Sequence, residues 1–195
     1  MSNYLIPLFL LIFITSLYSF FWRDSQQKDI SNFSQSIYDY SAQSIDGDPI
    51  SISQYKGKKI LIVNVASRCG YTPQYEELQM LSEQYGNEIE ILGFPANDFL
   101  WQEPATNDKI KQFCSTKYNV SFPMFEKISV KKSKDQHPIY TWLSNKLLNG
   151  WNDQAPSWNF CKYLIDEDGK LIQYYPSKTN PLNNEILKHF TKPKS

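Results

Sequence analysis

Histidine, cysteine and surplus charge are scarce in this chain. His137 and His189 are its only histidines, and it holds three cysteines in 195 residues. No CxxC pair, HExxH motif or histidine cluster is present, which argues against a zinc site built from the usual ligands and leaves no metal or cofactor expected. Three cysteines are too few for a disulfide scaffold, and a domain of this length needs none. Twenty basic residues balance twenty acidic ones. A phosphate-binding surface needs an excess of Lys and Arg, so a nucleic-acid partner is not expected. What is present is a hydrophobic content of 41% with 15% aromatics, enough for the core of one domain. Any chemistry must then rest on a cysteine with no histidine beside it in sequence.

The N-terminus is a separate object. Residues 4–22, from Tyr4 to Trp22, are uncharged and mostly apolar, and at helical rise they cover roughly 28 Å, about the hydrocarbon thickness of a bilayer. Residues 1–22 therefore read as a signal or membrane-anchor segment and 23–36 as a polar linker. A cleaved signal would carry a basic start and small residues at the cut; Ser16 and Ser19 flank the bulky Leu17, so a retained anchor is favoured over cleavage. Arg23 and Lys28 follow the span, offset by Asp24 and Asp29, and orientation is weakly specified. The expected location is membrane-anchored or exported, on the extracytoplasmic side.

From residue 37 to 195 strand and helix patterns alternate. Asp46-Gly47 signals a two-residue turn between short strands. Residues 60–65 form a continuous apolar run, expected as a buried central strand. It gives way at Cys69-Gly70-Tyr71-Thr72-Pro73 to a helical pattern reaching Tyr85. Residues 89–94 predict a second buried strand, closed by Pro95. A polar-aromatic loop covers 96–106, and Asn107 starts a short helix through Phe113. Residues 139–148 predict a helix stopped by Asn149-Gly150. Residues 158–165 predict a strand, turned by Asp166–Gly169 into a hairpin partner at 170–175, and 183–190 a last helix. The pattern implies an α/β fold with a partly parallel sheet and an antiparallel edge.

Cys69 falls where a buried strand meets a helix N-terminus, whose unpaired N–H groups and positive partial charge favour thiolate. Arg68 adds a neighbouring cation. The bland alternative is an inert core cysteine; position at the edge of an open sheet, where ligands bind in α/β folds, weighs on the other side.

Five motifs sharpen the choice: residues 64–72 (NVASRCGYT), 93–95 (GFP), 102–104 (QEP), 122–125 (FPMF) and 158–160 (WNF). In this order they resemble the glutathione peroxidase family, from about Ile37 to Phe190. The resemblance implies a thioredoxin-like fold, a central mixed sheet flanked by helices, and reduction of hydrogen peroxide and organic or lipid hydroperoxides in defence against oxidative stress. It makes Cys69 the peroxidatic nucleophile, in the cysteine form of the enzyme, and Gln102, Trp158 and Asn159 the rest of the family's catalytic tetrad. Two amides and an indole N–H can steady a thiolate and a departing oxygen without being acids or bases, so no histidine is needed.

Attack on a peroxide leaves a sulfenic acid that a second thiol converts to a disulfide. Cys114 stands where the thioredoxin-dependent branch of the family has its resolving cysteine, which implies a thioredoxin-like protein as reductant in preference to glutathione, and local unwinding of the helix that carries it. Cys161, after the WNF motif, is the other candidate and reads otherwise as a buried core thiol; on a strand it would face opposite to Trp158 and share a face with Asn159. The basic stretch 130–138, with Lys131, Lys132 and Lys134, lacks the insertion that tetrameric members use, so a monomer is expected. Asp98, Leu100, Trp101 and Ala105 depart from the family pattern around Gln102, the first as a carboxylate able to repel a nearby thiolate. Two rival readings stay open: a thiol redox sensor that relays oxidation to a partner protein, and a non-catalytic, membrane-tethered thioredoxin-like binding domain. A CxxC-type disulfide exchanger is disfavoured, because Thr72 occupies the second cysteine's place.

Overall fold

The computed structural model describes residues 35–190; the apolar segment 4–22 and most of the linker lie outside them. Among the described residues no helix is long and apolar enough to cross a membrane. Gln35 and Ser36, assigned to the linker, are tied to the domain by hydrogen bonds. The Gln35 carbonyl accepts from Trp142 Nε1 at 2.7 Å, and Ser36 forms a capping box with Asp39 over a single 3-10 turn, Ile37–Asp39.

A short antiparallel hairpin follows, β1 (Ser41–Gln43) and β2 (Pro49–Ser51). Its connection is a five-residue loop, not the tight turn expected. Ser44 Oγ accepts from the N–H groups of both Asp46 and Asp48, and Gly47 takes φ +89°. The central sheet has the order β4-β3-β5-β6, with β3 (Lys59–Val65), β4 (Ile89–Pro95), β5 (Lys162–Ile165) and β6 (Leu171–Tyr175). β3 pairs parallel with β4 and antiparallel with β5, and β5 pairs antiparallel with β6.

The continuous apolar run of β3 is explained by cover on both faces. Leu61, Val63 and Val65 enter one core cluster with Tyr75, Leu78 and Leu81 of α1 (Gln74–Tyr85). Ile60 and Ile62 enter the other, with Tyr140, Trp142 and Leu143 of α3 (Pro138–Leu143). Strand periodicity of two distributes the side chains this way. Between β4 and α3 lies α2 (Asn107–Tyr118), a full twelve residues where a helix ending at Phe113 was expected. It closes on Asn119 in the left-handed conformation (φ +51°), a residue type that tolerates it. The helix expected over 139–148 is broken in two. Ser144 Oγ turns back to the Tyr140 carbonyl at 2.7 Å, and Asn145 caps a new short helix, α4 (Lys146–Asn149), ended by Gly150 at φ +96°. The last helix, α5 (Asn184–Leu187), is also shorter than the pattern suggested.

The expected strand over 158–165 begins only at Lys162. Residues 158–160 are a turn, in which Phe160 takes φ +71° and its N–H reaches the Asn64 carbonyl at 2.6 Å. The inference that Trp158 and Cys161 alternate on a strand therefore fails, since Trp158 is not on one.

Candidate active site

Three connections converge on one edge of the sheet. Parallel pairing sets Val65 beside Pro95, so the segments leaving β3 and β4 emerge together. Antiparallel pairing sets Val63 beside Lys162, so the segment entering β5 arrives at the same edge. Residues 66–73, 96–106 and 157–161 thus meet although they are far apart in sequence, at the kind of edge where open α/β sheets place ligands.

Cys69 lies in the first of these. Its amide donates to Thr72 Oγ1 at 2.9 Å, and that hydroxyl donates to the Ala66 carbonyl at 2.8 Å, so Thr72 ties the loop across its neck. α1 proper starts at Gln74, five residues on. A run of i to i+3 bonds fills the interval: Thr72 to Cys69, Gln74 to Tyr71, Tyr75 to Thr72 and Glu76 to Pro73. Cys69 therefore occupies the cap position of that run. Its sulfur accepts the Tyr71 N–H at 3.4 Å, the free amide that a helix start supplies. The side chain is 7% exposed.

In the second segment Gln102 is fixed by its own backbone, accepting from Arg68 N at 3.0 Å and donating to the Phe99 carbonyl at 3.2 Å. In the third, Asn159 Nδ2 donates to Gln102 Oε1 at 3.1 Å, and half-buried Trp158 packs on Phe99 with ring centres 5.6 Å apart. Among the described residues neither amide nor the indole N–H bonds the Cys69 sulfur directly. Asn64, inside the first motif but given no role from sequence, organises the group. Its Nδ2 donates to the Trp158 carbonyl at 3.0 Å and to Asn159 Oδ1 at 3.2 Å, while its Oδ1 accepts from Cys161 N at 3.1 Å. A polar residue in the middle of a buried apolar strand is the signal that could have found it.

Glu103 was likewise quoted without a role. It is fully buried, and its two oxygens accept from Ser67 N and Ser67 Oγ, both at 2.7 Å. Burial raises its pKa; the Ser67 donors, Lys127 and Arg68 oppose the rise. Arg68 thus acts electrostatically on this carboxyl, and its backbone on Gln102. Asp98 does not act on the sulfur by a direct contact. Its carboxylate accepts from Ser129 Oγ at 2.8 Å and Val130 N at 2.9 Å, anchoring the following loop. Leu100 and Trp101 stand out in the left-handed region, φ +48° and +56°, at 77% and 78% exposure. For bulky residues that backbone costs on the order of 1–2 kcal/mol each.

All three cysteines are buried and free. Cys69 and Cys114 belong to the same core cluster, on the α1 face of the sheet, whereas Cys161 belongs to the cluster on the opposite face. Cys114 lies in the middle of α2 and not at its end. Burial pushes its thiol up to about 11, with the buried Tyr75 hydroxyl opposing and Glu103 adding to the rise. For Cys161 burial raises the pKa, but hydrogen bonds from Ser177, Tyr174 and nearby backbone outweigh it, and the net direction is down. No group of His, Cys, Asp or Glu able to hold a metal ion occurs among the described residues.

A cysteine sulfur receiving a backbone N–H at the edge of a mixed sheet, with two amides and an indole brought to the same edge, defines a thiol-dependent oxidoreductase of thioredoxin-like fold. Comparison with known proteins narrows the class. The sequence model described as Glutathione peroxidase matches residues 37–144. A "Glutathione peroxidase" of Lactococcus lactis is 44% identical over 155 residues, covering 78% of this chain and 98% of the relative. The "Hydroperoxy fatty acid reductase gpx1" of Synechocystis is 42% identical over 153 residues, 74% of this chain and 89% of that one. Among solved structures, "Trgpx in apo form" superposes with a TM-score of 0.60 at 34% identity, covering 82% of this chain and 97% of the other; thioredoxin-family proteins share the fold at far lower identity. The chain belongs to the glutathione peroxidase family and is a peroxidase.

Proposed function

We propose that this enzyme reduces hydroperoxides, lipid hydroperoxides included, by a two-cysteine cycle. The Cys69 thiolate attacks one oxygen of the O–O bond, forming an S–O bond and expelling alkoxide or hydroxide, which takes up a proton to leave as alcohol or water. Gln102, Asn159 and the Trp158 indole steady the developing charge. The Cys114 thiol then displaces water from the Cys69 sulfenic acid, giving a Cys69–Cys114 disulfide that a thioredoxin-like dithiol protein reduces by exchange. The catalytic unit is a monomer, and residues 4–22 hold it at a membrane or carry it across one.

The observation that carries the choice of Cys114 is its membership, with Cys69, of the cluster on one face of the sheet, while Cys161 lies on the other. α2 also supports it, because only Ile110 and Cys114 of its twelve residues are buried. A helix so lightly held opens at small cost. The Synechocystis relative's name supports lipid hydroperoxides as substrates.

The test follows mass and free thiols of the full chain after one equivalent of hydroperoxide, for wild type and for Cys69→Ser, Cys114→Ser and Cys161→Ser. Loss of two thiols, abolished by either of the first two substitutions and unaffected by the third, is the expected result. Dependence on Cys161 would overturn the resolving assignment, and an inert Cys69 would overturn the cycle.

A further inference from the structure

We propose that Leu100 and Trp101 form an apolar knob that inserts into the headgroup region of a lipid bilayer and seats the mouth of the Cys69 site on the membrane surface. The proposal deepens the peroxidase reading, on which its choice of substrate rests.

Two adjacent large apolar side chains, each more than three-quarters exposed, are unusual on a soluble domain. Their display is not slack. Both backbones are held in the left-handed region, and the loop is pinned on each side of them. Phe99 is buried against Trp158, Gln102 N bonds the Phe99 carbonyl, Arg68 N bonds the Gln102 carbonyl, and Glu103 N donates to Asn97 Oδ1 at 2.9 Å. A fold that retains two unfavourable residues while over-determining their position holds them for a purpose. The knob also directly precedes Gln102, so whatever receives it lies beside the site.

The chemistry of the rim selects the occupant. Arg68, exposed, is tied by its backbone to the residue that follows Trp101. Exposed Tyr71 and Lys178 line a cleft of about 380 Å³ with Ser157, Trp158, Pro176 and Ser177, and no acidic side chain is among them. Aromatic and aliphatic tips, with Arg68 tied beside them and a cleft at the site without acidic lining, match the acyl boundary and phosphates of a membrane interface. A pair of side chains is too small for a stable protein interface, which takes about 800 Å² from each partner, whereas interfacial insertion needs only a few.

The experiment uses the full chain with vesicles of phosphatidylcholine and phosphatidylglycerol, and two readouts. The first is tryptophan quenching by brominated phospholipids in wild type and Trp101→Phe. Greater quenching in wild type is expected, and equal quenching overturns the proposal. The second compares rates on phosphatidylcholine hydroperoxide in vesicles and on hydrogen peroxide in solution. Leu100→Asn/Trp101→Asn keeps residues that tolerate the left-handed backbone and removes the apolar tips. It is expected to lose about tenfold or more on the vesicle substrate while staying within about twofold on hydrogen peroxide. Leu147→Asn, at an equally exposed leucine on α4, is expected to change neither rate. Parallel loss on both substrates, or none on either, overturns docking, as does Trp101-dependent self-association in sedimentation, which assigns the knob to a second copy. A wild type inactive on every peroxide would defeat the enzyme reading alone, and the quenching would still decide the docking.

Discussion

Glu103 carries a carboxyl group into a place that solvent does not reach, and its only side-chain partners are the N–H and hydroxyl of Ser67, two residues ahead of the sulfur. The arrangement makes it a positioning residue for the Cys69 loop. Glu103→Ala leaves the half-buried Ser67 N–H and hydroxyl without their acceptor, and such a loss costs about 1–3 kcal/mol. Urea unfolding should show that decrease in midpoint stability, and peroxide turnover should fall with the displaced loop; an unchanged midpoint would remove Glu103 from this role. Asn64 acts in the same way on the other side of the site. Asn64→Ala strips one acceptor from Cys161 N and one donor from Asn159, so Asn159 loses the partner that orients its amide toward Gln102. A drop in peroxidase rate of roughly tenfold or more, larger than any change in thermal midpoint explains, is the expected outcome. These two residues were present in the sequence motifs, yet a motif records which residues recur and not which ones touch. Cys69 drew notice by its place between a buried strand and a helix start, and Gln102 and Asn159 only through the family resemblance. Asn64 and Glu103 were not legible, because their work is to hold other residues, and that shows only when the partners are brought near.

At the scale of the element, α2 is the part whose packing conflicts most with rigidity. Only two of its residues are buried, with Phe113 and Tyr118 half-buried against the Tyr75 ring, and the Tyr75 hydroxyl, also buried, has no well-formed hydrogen bond. β3, by contrast, is buried along nearly its whole length. Hydrogen exchange should therefore be faster in the amides of 107–118 than in those of 59–65 by several orders of magnitude, and comparable protection in the two would contradict local opening. The thiol gives the opening a pH dependence. In the closed helix Cys114 holds its proton up to about 11, against an ordinary value of 9.0. Between those values the open state binds fewer protons than the closed one, so opening becomes easier as pH rises through the window. Alkylation of Cys114 in the Cys69→Ser chain should accelerate above pH 9 by more than the ionisation of a free thiol supplies. The length of α2 was misread because Asn119, which ends it, is a weaker stop signal than glycine, although Ile110, Phe113, Cys114 and Tyr118 keep helical spacing to its end. β3 and β4 were legible for the opposite reason, since burial on both faces leaves runs that are apolar apart from Asn64 and Glu90. The turn at 158–160 was hidden because Trp and Phe read as strand formers when nothing indicates that Phe160 must take a positive φ.

At the scale of the whole molecule, Lys162 joins three parts of the described fold. It starts β5, is fully buried, and its ammonium bonds Gln74 of α1 and the carbonyls of Ser177 and Thr179, which follow β6. Three donors meet three acceptors, so the group is satisfied in hydrogen bonding but not in charge. Burial pulls its pKa from 10.5 down to about 7, opposed by Cys161 and Glu77. The sign of the linkage follows from proton counts. Below pH 7 the folded and unfolded chains both carry the proton, and the fold bears the cost of a buried charge. From about 7 to 10.5 the folded chain has released a proton that the unfolded chain keeps, so stability rises with pH, by up to about 1.4 kcal/mol per unit. Cys114 contributes the opposite slope above 9, which confines the comparison to pH 7 to 9; Cys161, held below its ordinary value and acting on Lys162, adds a slope of the same sign there and is removed by a Cys161→Ser background in both chains compared. Lys162→Met removes the titrating group and leaves Gln74 Oε1 and the Thr179 carbonyl short of a donor, while the Ser177 carbonyl keeps Gln74 Nε2, a constant loss that does not depend on pH. The difference in unfolding free energy between the chain that keeps Lys162 and the one with Lys162→Met should therefore widen in favour of Lys162 as pH is raised from 7 to 9, measured by urea titration at fixed ionic strength. A difference that stays flat across that window would mean the ammonium keeps its proton in the fold. In that case the three acceptors, and not burial, set its charge at the junction of α1, β5 and the segment after β6.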